Sequence, residues 1–180
     1  MIKMKKIFLA LLFLFSANSI RSAVKPSDLK ISAGPIYYRA LGLNNWALGA
    51  DVQYMVNEKY ELTGGLAASV ASGSQDAKNY YFYNGINIRF WNNDYVVPYV
   101  GGRGALVTFF ASGAPTAIHP LINLYAGFTT LFGNYFSEVE AGYAIYGNGV
   151  NGEVFQDHSG FRAKFRFGVR LNMAEKTPEK

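Results

Sequence analysis

Asp157, His158 and Ser159, in "QDHSG" (Gln156–Gly160), are the three residue types of a hydrolytic relay. Consecutive side chains on an extended chain point in alternate directions, so these three cannot pass a proton among themselves. The other histidine, His119, stands directly before Pro120 and reads as a rim residue rather than a base or ligand. Two isolated histidines without carboxylates at ligand spacing make no metal site, and a chain without cysteine has neither a disulfide framework nor thiolate metal sites. "GGRG" (Gly101–Gly104) lacks the strand-to-helix setting of a phosphate loop; glycines there suit a crowded or bent strand. No catalytic, cofactor or metal residue is assigned, and the chain is expected not to be an enzyme.

The remaining ionisable residues follow a different pattern. In "GFRAKFRFGVRL" (Gly160–Leu171), Arg162, Lys164, Arg166 and Arg170 alternate with Phe161, Ala163, Phe165, Phe167, Val169 and Leu171. A strand would put these two sets on opposite faces. Seven further segments alternate in the same way: 29–41, 46–56, 60–70, 80–91, 95–110, 121–132 and 135–147. None has sustained helical periodicity. The polar faces gather Asp51, Glu61, Glu138 and Glu140 with Lys30, Arg89, Arg103, Arg162, Lys164, Arg166 and Arg170.

Between the segments, tight breaks ("NEK", "NND", "GN") alternate with longer ones ("GLNN", "ASGSQDAKN", "ASGAPTAIHP", "NGVNGEVFQDHS"). In an up-and-down barrel this puts short turns at one end and loops at the other, as in outer-membrane barrels. Tyr54, Tyr60, Trp91, Tyr95, Phe132 and Tyr135 lie beside the tight breaks, where they would form an interfacial aromatic girdle. Segments of this length suit a tilted bilayer crossing, which needs about 9–11 residues.

The expected fold is therefore all-β, an eight-stranded antiparallel up-and-down transmembrane barrel with a polar, charged lumen. So narrow a lumen is filled by side chains, which argues against a general porin and requires its charges to pair. A hairpin of the last two strands would bring Glu138 and Glu140 beside Arg166, and closure onto the first strand would add Lys30. The alternative is a soluble periplasmic barrel with its faces reversed. Leu48, Val52, Phe82, Ile86, Phe128, Phe161, Phe165 and Phe167 would then line a lipocalin-like cavity for an apolar ligand.

The chain has 180 residues, suiting one domain, and its 19 glycines, 13 tyrosines and 14 phenylalanines favour strands and turns. Residues 1–19 read as a secretory signal peptide: Lys3, Lys5 and Lys6, then "IFLALLFLF", then "SANS", with cleavage possible up to residue 23. Its removal takes the formal charge from +5 to +2. No basic surface run remains to bind nucleic acid. A short lead (20–28), the barrel (29–173) and a polar tail (174–180) complete the expected organisation.

With the signal peptide, the eight segments, "VPYVGGRGAL" (Val97–Leu106) and the closing "FRAKFRFGVRL", the chain resembles the small outer-membrane barrels of Gram-negative bacteria, of the OmpA/OmpX/opacity-protein type. It departs from them in ending on "AEKTPEK" rather than an aromatic residue. The resemblance implies an outer-membrane location and a structural or surface role. Outer-membrane lipid and lipopolysaccharide would be its surroundings, with a possible extracellular or host partner at the loops, where Asp76, Lys78, Glu153 and Asp157 are the main charges. Some barrels of this size deacylate lipid A with a His, a Ser two residues later and a Glu. In the nearest local likeness, "AGYAIYGNGV", Tyr146 and Gly147 stand where that chemistry needs His and Ser.

Overall fold

The computed structural model describes residues 27–40, 43–71, 77–90, 95–111, 117–147 and 159–172. Residues 1–26, the expected signal peptide among them, Trp91, Asp157, His158 and the expected polar tail lie outside them. The strands are β1 (Asp28–Ala40), β2 (Leu43–Met55), β3 (Tyr60–Ala71), β4 (Ala77–Arg89), β5 (Val96–Ala111), β6 (Ala117–Phe132), β7 (Tyr135–Tyr146) and β8 (Gly160–Asn172). Each pairs antiparallel with the next, and β8 returns to β1, closing the barrel. Closure leaves no strand edge to template aggregation.

Turn chemistry fixes the hairpins. Asn57 Oδ1 accepts the backbone N–H of Lys59 (2.9 Å) and Tyr60 (2.8 Å), tying β2 to β3. Gly133, at φ +64°, supplies the left-handed residue of the β6–β7 turn. β4 and β6 begin earlier than the alternation alone suggested, so Lys78 and His119 belong to strands rather than loops. His119 is buried on the lumen side of β6, not at an exposed rim. The sequence pattern misplaced it because Pro120 looked like a break, although here Pro120 points outward within a paired strand.

The register sets the tilt. Successive partners run Met55, Glu61, Asn87, Gly101, Tyr125, Gly142, Arg162 and Tyr38, then re-enter β2 at Asn45, ten residues from the start. With strands about 4.8 Å apart and rising about 3.3 Å per residue, that offset slopes the strands about 40° to the axis. Strands of 12 to 16 residues then rise about 30 Å or more, enough to cross the hydrocarbon of a bilayer.

All the lipocalin-like cavity residues face outward: Leu48, Val52, Phe82, Ile86, Phe128, Phe161, Phe165 and Phe167 are exposed, while the charged set is buried. The reversed barrel is thereby excluded. Tyr54, Tyr60, Phe90, Tyr95 and Tyr135 are exposed beside the tight turns, with Phe132 partly covered. A second aromatic group stands at the loop end, where Tyr37 packs edge-on to Trp46 (5.2 Å) and Tyr80 to Phe110 (5.6 Å). The apolar belt thus has aromatics at both ends.

Candidate functional site

The lumen is built in three layers. At the turn end Met55, Val97, Leu131 and Phe136 form a carbon layer. Towards the loops Ile36, Tyr38, Tyr81, Val107 and Leu121 pack with small alanines. The ionic layer lies between them. All of it arises because alternate positions on each strand face inward, so the polar half of each alternating segment converges on the axis.

The charges form one continuous chain of opposite signs. Arg89 pairs with Glu61, which also takes Lys30 Nζ (2.9 Å). Lys30 reaches on to Glu138 (2.7 Å), and Glu138 to Arg166 (3.1 Å). From Arg166 the chain forks. One branch passes to Asp51 (2.7 Å) and then to Lys164 (3.1 Å). The other passes to Glu140 (3.1 Å) and then to Arg103 (2.5 Å).

Neutral groups complete the ionic layer. Glu138 accepts from Gln53 Nε2 (2.8 Å) and Thr129 Oγ1 (2.9 Å), and Glu61 from Asn87 Nδ2 (2.7 Å). The Tyr83 hydroxyl donates to Asp51 (2.6 Å) and accepts from Lys164 (3.0 Å). The Arg103 guanidinium stacks 4.0 Å above the Tyr125 ring, whose hydroxyl donates to Asn87 (2.6 Å). Every strand contributes. Such a layer is stabilising as a whole only because each carboxylate is matched; removing one member leaves a buried charge uncompensated.

The sequence-assigned lumen residues divide into three groups. Asp51, Glu61, Arg89, Arg103, Glu138, Glu140, Lys164 and Arg166 are brought into this layer. Arg170 stands apart at the turn end, where its guanidinium donates to the Gly133 carbonyl (3.1 Å) and faces Asp28 (3.6 Å). Arg162 meets no carboxylate among the described residues. It is only 6% exposed and lies over the rings of Tyr81 (5.3 Å) and Tyr83 (6.0 Å). The expected hairpin pairings are present, with Glu138 opposite Arg166 and Glu140 opposite Lys164.

Sequence reasoning missed the tyrosines and amides that hold the ions, Tyr83, Tyr125, Gln53 and Asn87. Their inward positions were readable from the alternation, but which ion each would reach across the lumen was not. His119 was also missed as a lumen residue; its Nδ1 lies 3.3 Å from the Gly147 carbonyl oxygen. Among the described residues no group of three or more His, Cys, Asp or Glu is placed to hold a metal ion.

No protein-family model and no curated relative matches the sequence. Solved structures do resemble it. Neisserial surface protein A (NspA) is similar at 15% identity over 81% of this chain and 96% of that one, with a TM-score of 0.56. The N-terminal β-barrel domain of Pseudomonas aeruginosa OprF is similar at 15% identity over 83% and 100%, with a TM-score of 0.58. The P. aeruginosa outer membrane protein OprG is similar at 14% identity over 82% and 97%, with a TM-score of 0.50. At these identities the likeness is one of fold. The chain has the architecture of the small eight-stranded outer-membrane barrels, with its charges inside and its apolar belt outside.

Proposed function

We propose that this protein is a non-catalytic outer-membrane barrel, a sealed cylinder that holds its loops at the cell surface in a structural or interaction role. The observation that carries the reading is the sidedness of the wall. A predominantly apolar belt faces out on all eight strands, and the ion-pair layer is enclosed between two carbon layers. In water that belt would be an aggregation hazard; in a bilayer it is the ordinary exterior. The ion-pair layer in this reading closes the lumen rather than conducting through it. Outer-membrane lipid and lipopolysaccharide surround the belt, and adhesion or envelope integrity is served at the loop end. The similar NspA is by its name a surface protein, which supports outward presentation.

Fractionation with heat-modifiable gel mobility tests this. The full chain, expressed in a Gram-negative host, is expected in outer membranes, with a mobility that shifts on boiling. Release with the periplasmic fraction would overturn the proposal. If the enzyme reading were right instead, changing His158 or Ser159 would abolish a lipid A modification that the wild-type chain produces.

A further inference from the structure

The outward positions of β4 read Lys78, Tyr80, Phe82, Asn84, Ile86 and Ile88, and Phe90 continues the row just past its end. Asn84 is at the centre of that row, between aromatics that mark the two ends of the belt. Its side chain is exposed and makes no hydrogen bond within the described chain. A carboxamide presented to hydrocarbon loses its water partners and gains none, a cost that marks intramembrane polar groups as functional.

Its surroundings are equally particular. Asn84 is paired across the sheet with Gly64 on one side and Gly104 on the other, and Gly102 lies diagonally beside it. Most glycines of this barrel have an internal reason to lack a side chain. A Cβ at the lumen-facing Gly65, Gly85 or Gly101 would come within 2.5 Å or less of neighbouring atoms. Gly64, Gly102 and Gly104 have no such reason: their nearest atoms would be 3.7, 3.5 and 3.9 Å from a Cβ, ordinary contact. The hollow they make is therefore not demanded by the barrel's own packing. Phe82, next to Asn84 on the same face, is the most exposed large apolar side chain among the described residues, at 72%.

We propose that this face of β3–β5 is where a second copy of the chain docks within the membrane, about a two-fold axis passing near Asn84. A carboxamide is both donor and acceptor, so two of them related by a two-fold satisfy each other reciprocally. The same operation sets the protruding Phe82 of each copy against the glycine hollow of the other. Small residues let backbones approach closely and a polar group fixes the register, the pattern of intramembrane association. A lipid chain would fill the hollow but leave the carboxamide unsatisfied. The inference rests on the membrane reading above.

The chain has no cysteine, so Asn84→Cys supplies a single thiol. Phe165→Cys, exposed on β8 at the opposite wall, is the control. Both full-length variants, in outer membranes, are treated with a short bifunctional thiol reagent. Heat-modifiable mobility reports separately on barrel formation and so on the membrane reading. The expected result is a covalent homodimer from Asn84→Cys and little from Phe165→Cys. In purified proteoliposomes, energy transfer between labelled wild-type copies is expected, and Asn84→Leu should weaken association about tenfold, as loss of a reciprocal pair of intramembrane hydrogen bonds implies. Gly104→Leu, filling the hollow, should weaken it further. Equal crosslinking of the two thiols, capture of a different protein only, or dimerisation indifferent to Gly104→Leu would each overturn the proposal.

Discussion

Glu138 is the member of the lumen layer whose loss should be felt most. It accepts from Lys30, Gln53 and Thr129 and forms an ion pair with Arg166, joining the β1 side of the charge chain to the β8 side. Glu138→Gln keeps the shape and removes the charge. The inner layer then holds Asp51, Glu61 and Glu140 against Lys30, Arg89, Arg103, Lys164 and Arg166, and the new amide points a donor at donors. Removing one partner of a buried pair costs about 3–5 kcal/mol, or roughly a hundredfold to several thousandfold in the folding equilibrium. Urea titration of the barrel in lipid vesicles, followed by tryptophan fluorescence and heat-modifiable mobility, reads this directly. Thr129→Val, which deletes one neutral donor, should cost only about 1 kcal/mol. The paired change Lys30→Met with Glu138→Met should recover much of the loss, since a matched apolar replacement leaves fewer unmatched charges. A Glu138→Gln loss no larger than that of Thr129→Val would refute the view that charge matching, rather than shape, holds the lumen.

Other perturbations separate the remaining features. Arg162→Met should change stability by less than about 1 kcal/mol, or raise it, because no carboxylate among the described residues loses a partner; the same titration checks this. Phe165→Arg puts a cation on the outer face in mid-strand, where it should cost about 2–4 kcal/mol and lower the heat-modifiable fraction, although Arg166 is native one residue away. Gly34→Ala would place a Cβ 2.1 Å from the Phe165 carbonyl oxygen and should cost about 1–3 kcal/mol or more. Gly133→Ala should lose about 1 kcal/mol from its φ of +64° alone, since nothing crowds the site, and a matching drop in urea midpoint would show it.

The two-residue period made much of this fold readable. It placed Asp51, Glu61 and the basic residues of β8 inside, and the hairpin logic set Glu138 beside Arg166. What the period cannot show is anything that depends on all the registers at once. Asp51 meets Lys164 only because the small offsets of every pair add up to one tilt around the closed barrel. The carbon layers were hidden for another reason: Ile36, Val107, Leu121 and Phe136 are apolar yet face inward, so the rule of polar inside and apolar outside has no means of assigning them. Asn84 is the converse case, a polar residue on the outer face that the rule passes over. Both exceptions fall where packing between specific neighbours outweighs the general preference of the face.

The bridges that seal the lumen join residues far apart in the chain. Lys30 and Glu138 are 108 positions apart, Lys164 and Asp51 113. β1 has no second partner until β8 arrives. The unfolded chain therefore keeps Lys30 and Asp51 hydrated until its last two strands are in place. Pairing of such high sequence separation is slow, because the loop must be ordered before the contact rewards it. The last strand acts as the fastener of the whole cylinder. Until it seats, the interior is wet and the wall is open along one seam. When it seats, dehydration of the ions, their pairing and closure of the seam occur together, which makes completion of this barrel a single late event rather than a gradual one.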